Sequence, residues 1–136
     1  MKKNNFEKAI KTLEFDKIRQ MLSDVAPTEG SKAMAAELMP SESIAEVRTL
    51  LAETDAAKAM QSLKGMPPFY GIADVTYSLE RADKGAVLST RELLDICSVL
   101  RAARGLREYA NLSHSEETAL TEYFTRLTPN KYLEEK

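Results

Sequence analysis

The sequence has few of the residues from which disulfide frameworks and metal sites are built. Its 136 residues include one cysteine, one histidine and no tryptophan. A single cysteine, Cys97, excludes an internal disulfide framework and fits a reducing compartment. Its apolar neighbours along a predicted helix favour a small buried hydrophobe over a nucleophile. The histidine, His114, has no second histidine or cysteine nearby, so we interpret it as an exposed loop residue rather than a zinc ligand.

Other signatures are also missing. No glycine-rich loop ends in Gly-Lys-Ser/Thr, so a P-loop is not encoded, and Lys84-Gly85 has the wrong order. No apolar run is long enough for a signal peptide or a membrane span, which predicts a cytoplasmic protein without a membrane partner. The net charge of −2 gives no global attraction to nucleic acid. We therefore expect no catalytic residue, metal or cofactor site within this chain.

Helix-forming residues dominate the composition, which predicts an all-α fold, an irregular array with two long helices at about residues 43–64 and 89–111. Each long helix begins at a serine followed three residues later by glutamate, the spacing of a capping box, at Ser43 and at Ser89. Shorter helices are predicted from cap residues and proline breaks. Their expected caps or first residues are Asn5, Thr28, Asp74, Ser115 and Lys131. Whether residues 13–16 interrupt the first helix stays open.

Apolar residues at helical spacing predict the buried face of each long helix. On the first helix they are Ile44, Val47, Leu50, Leu51, Ala57, Met60 and Leu63. On the second, they begin with Leu93, Ile96, Cys97 and Leu100. That face then meets arginines, so either the buried stripe shifts to Ala103, Leu106 and Ala110 or the helix bends at Gly105. The acidic pairs Glu116-Glu117 and Glu134-Glu135 lie in first turns of predicted helices, where carboxylates favour the helix dipole, and we interpret them as structural.

Between the long helices lies the segment that we call the Gly-Pro loop, residues 65–72. Two prolines break the helix, while glycine suits a positive φ. Its apolar residues favour packing against the joined helices or against a surface outside this chain. Phe69 and Tyr70 are expected to pin helical layers or to meet a later domain, so we predict an architectural role. The loop residues assigned to it are Gly65, Pro67, Pro68, Phe69, Tyr70 and Gly71.

Basic residues provide the candidate contacts to a partner. Arg101, Arg104 and Arg107 recur at three-residue spacing and predict a ridge on the second long helix. Lys64, Arg81 and Lys84 flank the Gly-Pro loop. One interpretation pairs the arginines with acidic neighbours such as Glu108 or with another helix. The other has them contact nucleic-acid phosphates or a partner domain.

The order of several segments resembles the bacterial MutS paralogues that carry a C-terminal Smr nuclease domain. The resemblance is clearest at Gly65-Met66-Pro67-Pro68-Phe69-Tyr70-Gly71-Ile72. It also includes residues 12–18, 38–41, 53–56, 79–82, 84–88, 93–96, 100–104 and 126–129. These segments span nearly the whole chain in order.

The resemblance implies a dimeric protein with the helical core, lever and ATPase regions of mismatch-repair MutS but without its mismatch-reading domains. Such proteins hydrolyse ATP with Mg, bind branched DNA and restrain recombination, and are linked to rescue of collided ribosomes. Residues 1–136 would be the N-terminal core and lever portion, a truncated fragment whose partners include the clamp, ATPase and Smr regions. No ATPase or nuclease residue of the family falls on this chain. Such a piece is expected to expose apolar surface; alternatives are a direct nucleic-acid-binding module and a helical protein–protein adaptor.

Overall fold

In the computed structural model, which describes residues 2–111 and 117–135, every regular element is an α-helix. This confirms the predicted all-α class. The helices are α1 (Lys2–Thr12), α2 (Phe15–Val25), α3 (Glu29–Glu37), α4 (Ile44–Lys64), α5 (Thr76–Asp83), α6 (Thr90–Asn111), α7 (Thr121–Thr125) and α8 (Lys131–Glu134). The chain divides into two compact units, Met1–Pro40 and Ser41–Lys136. Among the described helices, none combines the length and the apolar character needed to cross a bilayer.

The first unit contains α1, α2 and α3. A break separates α1 from α2, since Glu14 adopts a left-handed backbone with φ of 52°. The N-cap prediction at Asn5 is wrong because α1 already begins at Lys2, and asparagine is tolerated inside a helix at modest cost. Thr28 caps α3 as predicted, and its side chain and that of Ser31 each accept the other residue's backbone N–H at 3.1 Å. Among residues 7–40, whose burial the structure describes, Ala35 of α3 is the buried residue.

Both long helices begin and end where the sequence predicts. At the start of α6 the capping box is complete, because Ser89 Oγ accepts the Glu92 N–H at 3.3 Å and Glu92 Oε2 accepts the Ser89 N–H at 2.8 Å. At the start of α4 only half of the box forms. Ser43 Oγ accepts the Glu46 N–H at 3.4 Å, but the Glu46 carboxylate accepts the Ser41 hydroxyl instead.

The capping carboxylate of α6 predicts a specific acid sensitivity. The Ser89 N–H and hydroxyl, followed by the Ser78 hydroxyl and Arg81, lower the pKa of Glu92 from 4.5 to about 2. A lowered folded-state pKa stabilises the fold above pH 4.5, and that stabilisation is lost as the pH falls toward about 2. We therefore expect wild type to lose its stability advantage over Glu92→Gln across this range in urea denaturation. Glu80→Gln on α5 is the exposed control, and an advantage that stays constant down to the lowest pH would contradict this assignment.

The shorter helices of the second unit differ in length from the prediction. The prediction that Asp74 caps this helix is wrong, because Val75 occupies the N-cap position of α5 and makes no side-chain cap hydrogen bond. Asp74 lies one residue earlier, where its Oδ1 accepts the Thr76 N–H at 3.0 Å. The helix predicted to begin at Ser115 is reduced to α7, which is preceded by a turn in which the Thr118 N–H donates to Thr121 Oγ1 at 2.8 Å. Ser115 itself, with His114 and Glu116, lies outside the described residues. Asn130 caps α8 by accepting the Leu133 N–H at 3.1 Å.

The apolar stripe of α4 is not buried, which corrects the prediction. Ile44 is 72% exposed, Leu51 58% and Leu63 82%. Met60 is a half-buried member of the stripe, and the half-buried side of α4 also carries Glu53, Ala56 and Lys64. Glu53 Oε1 accepts the Tyr123 hydroxyl of α7 at 2.9 Å, but no described helix packs along the rest of the stripe. Helical periodicity identifies a face suited to burial, but a chain can leave that face without a partner.

On α6, two of the three buried residues lie one position before the residues predicted to be buried. Leu106 is buried as predicted, but its buried neighbours are Ala102 and Tyr109 rather than Ala103 and Ala110. Leu93, expected to be buried, is 53% exposed. The helix continues through Gly105 to Asn111. The loop that crosses α6 at Gly105 explains why a glycine lies inside this helix.

Candidate functional site

The Gly-Pro loop lies against α6. A Cβ added at Gly105 would lie 3.3 Å from Pro68 Cγ, so the missing side chain allows the proline ring to approach the helix. Gly65 and Gly71 at the loop ends have φ of 78° and 77°, a conformation that glycine adopts without strain. The expectation that the loop packs back on a joined helix is thereby met through its proline. Its aromatic residues lie further out, with Phe69 40% and Tyr70 83% exposed.

Lys64 joins the end of α4 to the end of α6. Its Nζ donates to the carbonyl oxygens of Tyr109 at 2.8 Å and Ala110 at 3.2 Å, and lies 5.3 Å from the centre of the Tyr109 ring. A cation at a helix C-terminus interacts favourably with the helix dipole. In return the Tyr109 hydroxyl donates to the Gly65 carbonyl at 2.9 Å. Lys64 therefore fastens the two long helices together at the Gly-Pro loop.

A groove of about 380 Å³ lies beside the contact of Pro68 with Gly105, between the Gly-Pro loop and α6. Both walls contribute residues that the sequence marks as candidates. The lining residues are Pro68, Tyr70, Gly71, Ser98, Arg101, Ala102, Arg104 and Gly105. The fold thus brings two of the three predicted arginines together with the predicted structural loop.

Within the groove wall, Arg104 holds the carboxylate of Glu134 from α8. Arg104 Nε lies 3.0 Å from Oε2 and Nη2 lies 2.7 Å from Oε1, while Nη1 donates to Glu108 at 3.2 Å. The Glu134 side chain is only 7% exposed. Its hydrogen bonds with Arg104, and then with Arg101, lower the pKa of Glu134, while Glu134 followed by Glu108 raises the pKa of Arg104. Both groups are therefore charged at neutral pH.

Arg101 is the more exposed of the two arginines that contact Glu134. Its Nε lies 3.4 Å from Glu134 Oε1, its Nη2 lies 3.6 Å from Cys97 Sγ, and its side chain is 62% exposed. Cys97 is half-buried, and its thiol donates to the Glu134 backbone carbonyl at 3.2 Å. The two arginines therefore converge on one carboxylate but share it unequally.

Of the three remaining candidate basic residues, Arg107 and Arg81 lie in other contacts. Arg107 donates to the Phe124 carbonyl of α7 at 3.0 Å, so the three arginines do not form one free ridge. Arg81 pairs with Glu92, also donates to the Val87 carbonyl, and lies over Tyr77. Lys84 is exposed, and its ammonium has no ion-pair partner within the part of the chain that the structure describes. The contacts of Arg81 and Arg107 agree with the interpretation in which the basic side chains bind groups of this chain.

Glu134 is the residue of this site whose position sequence reasoning missed. The sequence places it among the dipole-favouring acids of a helix first turn. In the structure it lies against arginines 30 and 33 positions earlier. No local sequence pattern predicts a contact between residues so far apart in sequence. The only indication of this contact in the sequence is an acidic residue in a short predicted helix after a proline.

The chemistry available in the groove is recognition of charge and shape. It offers two guanidinium groups, the Tyr70 phenol and the Ser98 hydroxyl. Among the described residues, no group of three or more His, Cys, Asp or Glu side chains is arranged to hold a metal ion. Guanidinium groups bind carboxylate and phosphate oxygens with well-defined geometry, so an oxyanion is the ligand that these side chains suit.

No family model matches the chain. Among curated proteins, Endonuclease MutS2 of Clostridium botulinum (strain 657 / Type Ba4) is 41% identical over 112 residues, covering 82% of this chain and 14% of that protein. Endonuclease MutS2 of Halothermothrix orenii is 36% identical over 94% of this chain and 17% of that protein. The protein of the same name from Ruminiclostridium cellulolyticum is 37% identical over 96% of this chain and 17% of its own length. The chain therefore spans about one sixth or less of the length of these relatives.

Proposed function

Because this chain is a region of the MutS2 family, we propose that it is a non-catalytic helical core and lever module of a MutS2 protein. It transmits the nucleotide state of the ATPase region to the clamp region, which binds DNA or the ribosome. ATP and Mg are bound by parts of the protein outside this chain, and a second copy completes a dimer. The observation that carries the proposal is the exposed apolar face of α4, a long helix that is held at its C-terminal end by α6 and near its middle by the hydrogen bond from Tyr123 to Glu53.

Long helices joined at one end suit mechanical transmission. With a rise of about 1.5 Å per residue, α4 and α6 are each roughly 30 Å long. Lys64, Tyr109 and the Gly-Pro loop fix the C-terminal end of α4 against the C-terminal end of α6. A displacement of the other end of α4 is carried along such a helix because its backbone hydrogen bonds resist bending.

The exposed apolar face of α4 supports the proposal that another part of the protein packs along the N-terminal half of this helix. Ile44, Val47, Leu50 and Leu51 are between 37% and 72% exposed. Contiguous exposed apolar residues mark an interaction surface in soluble proteins. More than four fifths of the relatives' length lies outside the region that matches this chain, which provides ample polypeptide to cover this face.

The test uses the full-length protein. We expect Ile44→Asp with Leu51→Asp to leave basal ATP hydrolysis within about twofold while reducing its stimulation by DNA or ribosomes at least about fivefold, since each buried aspartate costs several kcal/mol. Ala52→Asp is the matched control, because it lies next to Leu51 but about 100° further around the helix. Equal stimulation in the double variant and the control would contradict the coupling role, as would ATP turnover by the chain on its own.

A further inference from the structure

Helix α4 is attached to the rest of its unit along one side of its C-terminal part only. None of its 21 residues is buried, and residues 44–52 are all exposed. We propose that α4 is a hinged arm that pivots at Gly65, and that the hydrogen bond from Tyr123 to Glu53 is a latch that holds this arm in place. The motion does not require an ATPase region, so it stands apart from the proposed coupling role.

The pivot lies where α4 meets the Gly-Pro loop. Gly65 has a φ of 78°, and a Cβ added to it would meet nothing within 4 Å, so its backbone has room to rotate. Residues at helix ends commonly absorb the dihedral changes of hinge motions. Further along the loop, Pro68 rests on α6 at Gly105. The backbone rotation is therefore placed between Lys64 and Pro68.

The side chain of Lys64 keeps the pivot attached to α6. Its Nζ donates to the carbonyl oxygens of Tyr109 and Ala110 at 2.8 and 3.2 Å, and the Tyr109 hydroxyl donates to the Gly65 carbonyl at 2.9 Å. All three hydrogen bonds are partly buried. Because a lysine ammonium ends a flexible four-carbon chain, it can follow these carbonyls through a rotation of the helix. The pivot is therefore the stronger of the two attachments.

The latch joins the middle of α4 to a helix that is fixed on α6. Arg107 of α6 donates to the Phe124 carbonyl at 3.0 Å, and the Phe124 ring lies 6.5 Å from the Tyr109 ring, so α7 is held against α6. From α7, the Tyr123 hydroxyl donates to Glu53 Oε1 at 2.9 Å. No residue of α4 before Glu53 is even half-buried, so residues 44–52 extend beyond the latch.

The latch is weak enough to open in solution. Its hydrogen bond is exposed, so water can replace either partner and the net contribution of the bond to stability is small. No buried residue of α4 adds to it. Two states that differ by one such bond are both populated at equilibrium. We therefore expect α4 to sample a second position, in which the Glu53 carboxylate and the Tyr123 hydroxyl are hydrated.

The test measures the distance between α4 and α6 by double electron–electron resonance. Spin labels are attached at Arg48→Cys, in the exposed part of α4, and at Leu94→Cys, which is 58% exposed on α6, in a Cys97→Ser background. Tyr123→Phe removes only the latch hydroxyl and is expected to raise the fraction of molecules outside the main distance at least about twofold. Tyr77→Phe is the matched control, because it removes the hydroxyl of an exposed tyrosine on α5, and it is expected to leave this fraction unchanged.

Variants of Glu53 separate the latch from a general loss of structure. Glu53→Gln keeps an oxygen that accepts the phenol hydroxyl and is expected to behave as wild type, whereas Glu53→Ala is expected to match Tyr123→Phe. Combining Glu53→Ala with Tyr123→Phe is expected to add nothing, since both remove the same bond. Far-UV circular dichroism checks that each variant keeps its helices. Equal distance distributions in Tyr123→Phe and Tyr77→Phe, or additive effects of Glu53→Ala and Tyr123→Phe, would overturn the proposal.

Discussion

Replacing Leu106 with alanine is expected to lower the free energy of unfolding of the second unit by about 2 to 4 kcal/mol. Leu106 is 7% exposed and lies between Ala102 and Tyr109, the other two buried residues of α6. Truncation removes apolar contacts and leaves a cavity that the surrounding helices fill only in part. Because so few side chains of this unit are buried, the loss is a large share of its stability. Urea denaturation followed by circular dichroism measures the effect.

The same helix offers matched leucines for comparison. Leu93 and Leu94 are 53% and 58% exposed, so the same truncation at either position is expected to cost below about 1 kcal/mol. The comparison holds residue type and helix constant and changes burial alone. Losses of similar size at all three positions would show that the packed part of α6 does not lie at Leu106.

Replacing Gly105 with valine is expected to destabilise the chain by about 1 to 3 kcal/mol, the usual cost of forcing extra carbon atoms into a packed contact. The Cβ alone would meet Pro68 Cγ at 3.3 Å, and valine adds two further methyl groups. Valine has a better helix propensity than glycine, so propensity by itself predicts the opposite sign. The sign of the measured change therefore decides whether the loop rests on α6 at this point.

A double-mutant cycle separates the two effects. Pro68→Ala removes the Cγ atom, so Gly105→Val in that background is expected to lose most of its cost. Gly30→Val in α3 is the control, because no atom lies within 4 Å of a Cβ added there, and its effect is expected to be neutral or slightly stabilising, since valine has the better helix propensity. An unchanged cost of Gly105→Val in the Pro68→Ala background would mean that the strain comes from a contact other than the proline.

The limits of both long helices follow from local chemistry. Ser43 and Ser89 with their partner glutamates mark the starts, and Gly65 marks one end, since these signals act within a few residues. The N-cap prediction at Asn5 is wrong because asparagine alone is a weak signal. It also occurs inside helices. Local signals therefore position helices well when two of them agree.

Burial and the site depend on what lies across space. The α4 stripe has helical spacing, yet Ile44 and Leu51 remain exposed because the described part of the chain supplies no partner for them. The Gly-Pro loop is visible from composition, whereas its contact at Gly105 and the meeting of Glu134 with Arg104 join residues far apart in sequence. One sequence reveals which residues can make such contacts but not which of them meet.

In the proposed function, the exposed apolar face of α4 is covered by the rest of a MutS2 protein and changes its contacts with the nucleotide state. Hydrogen–deuterium exchange of the backbone amides of residues 44–64 measures this coverage, in the isolated chain and in the full-length protein with and without a non-hydrolysable ATP analogue. We expect slower exchange in the full-length protein and a further change when nucleotide binds. Equal exchange in all three samples would contradict it.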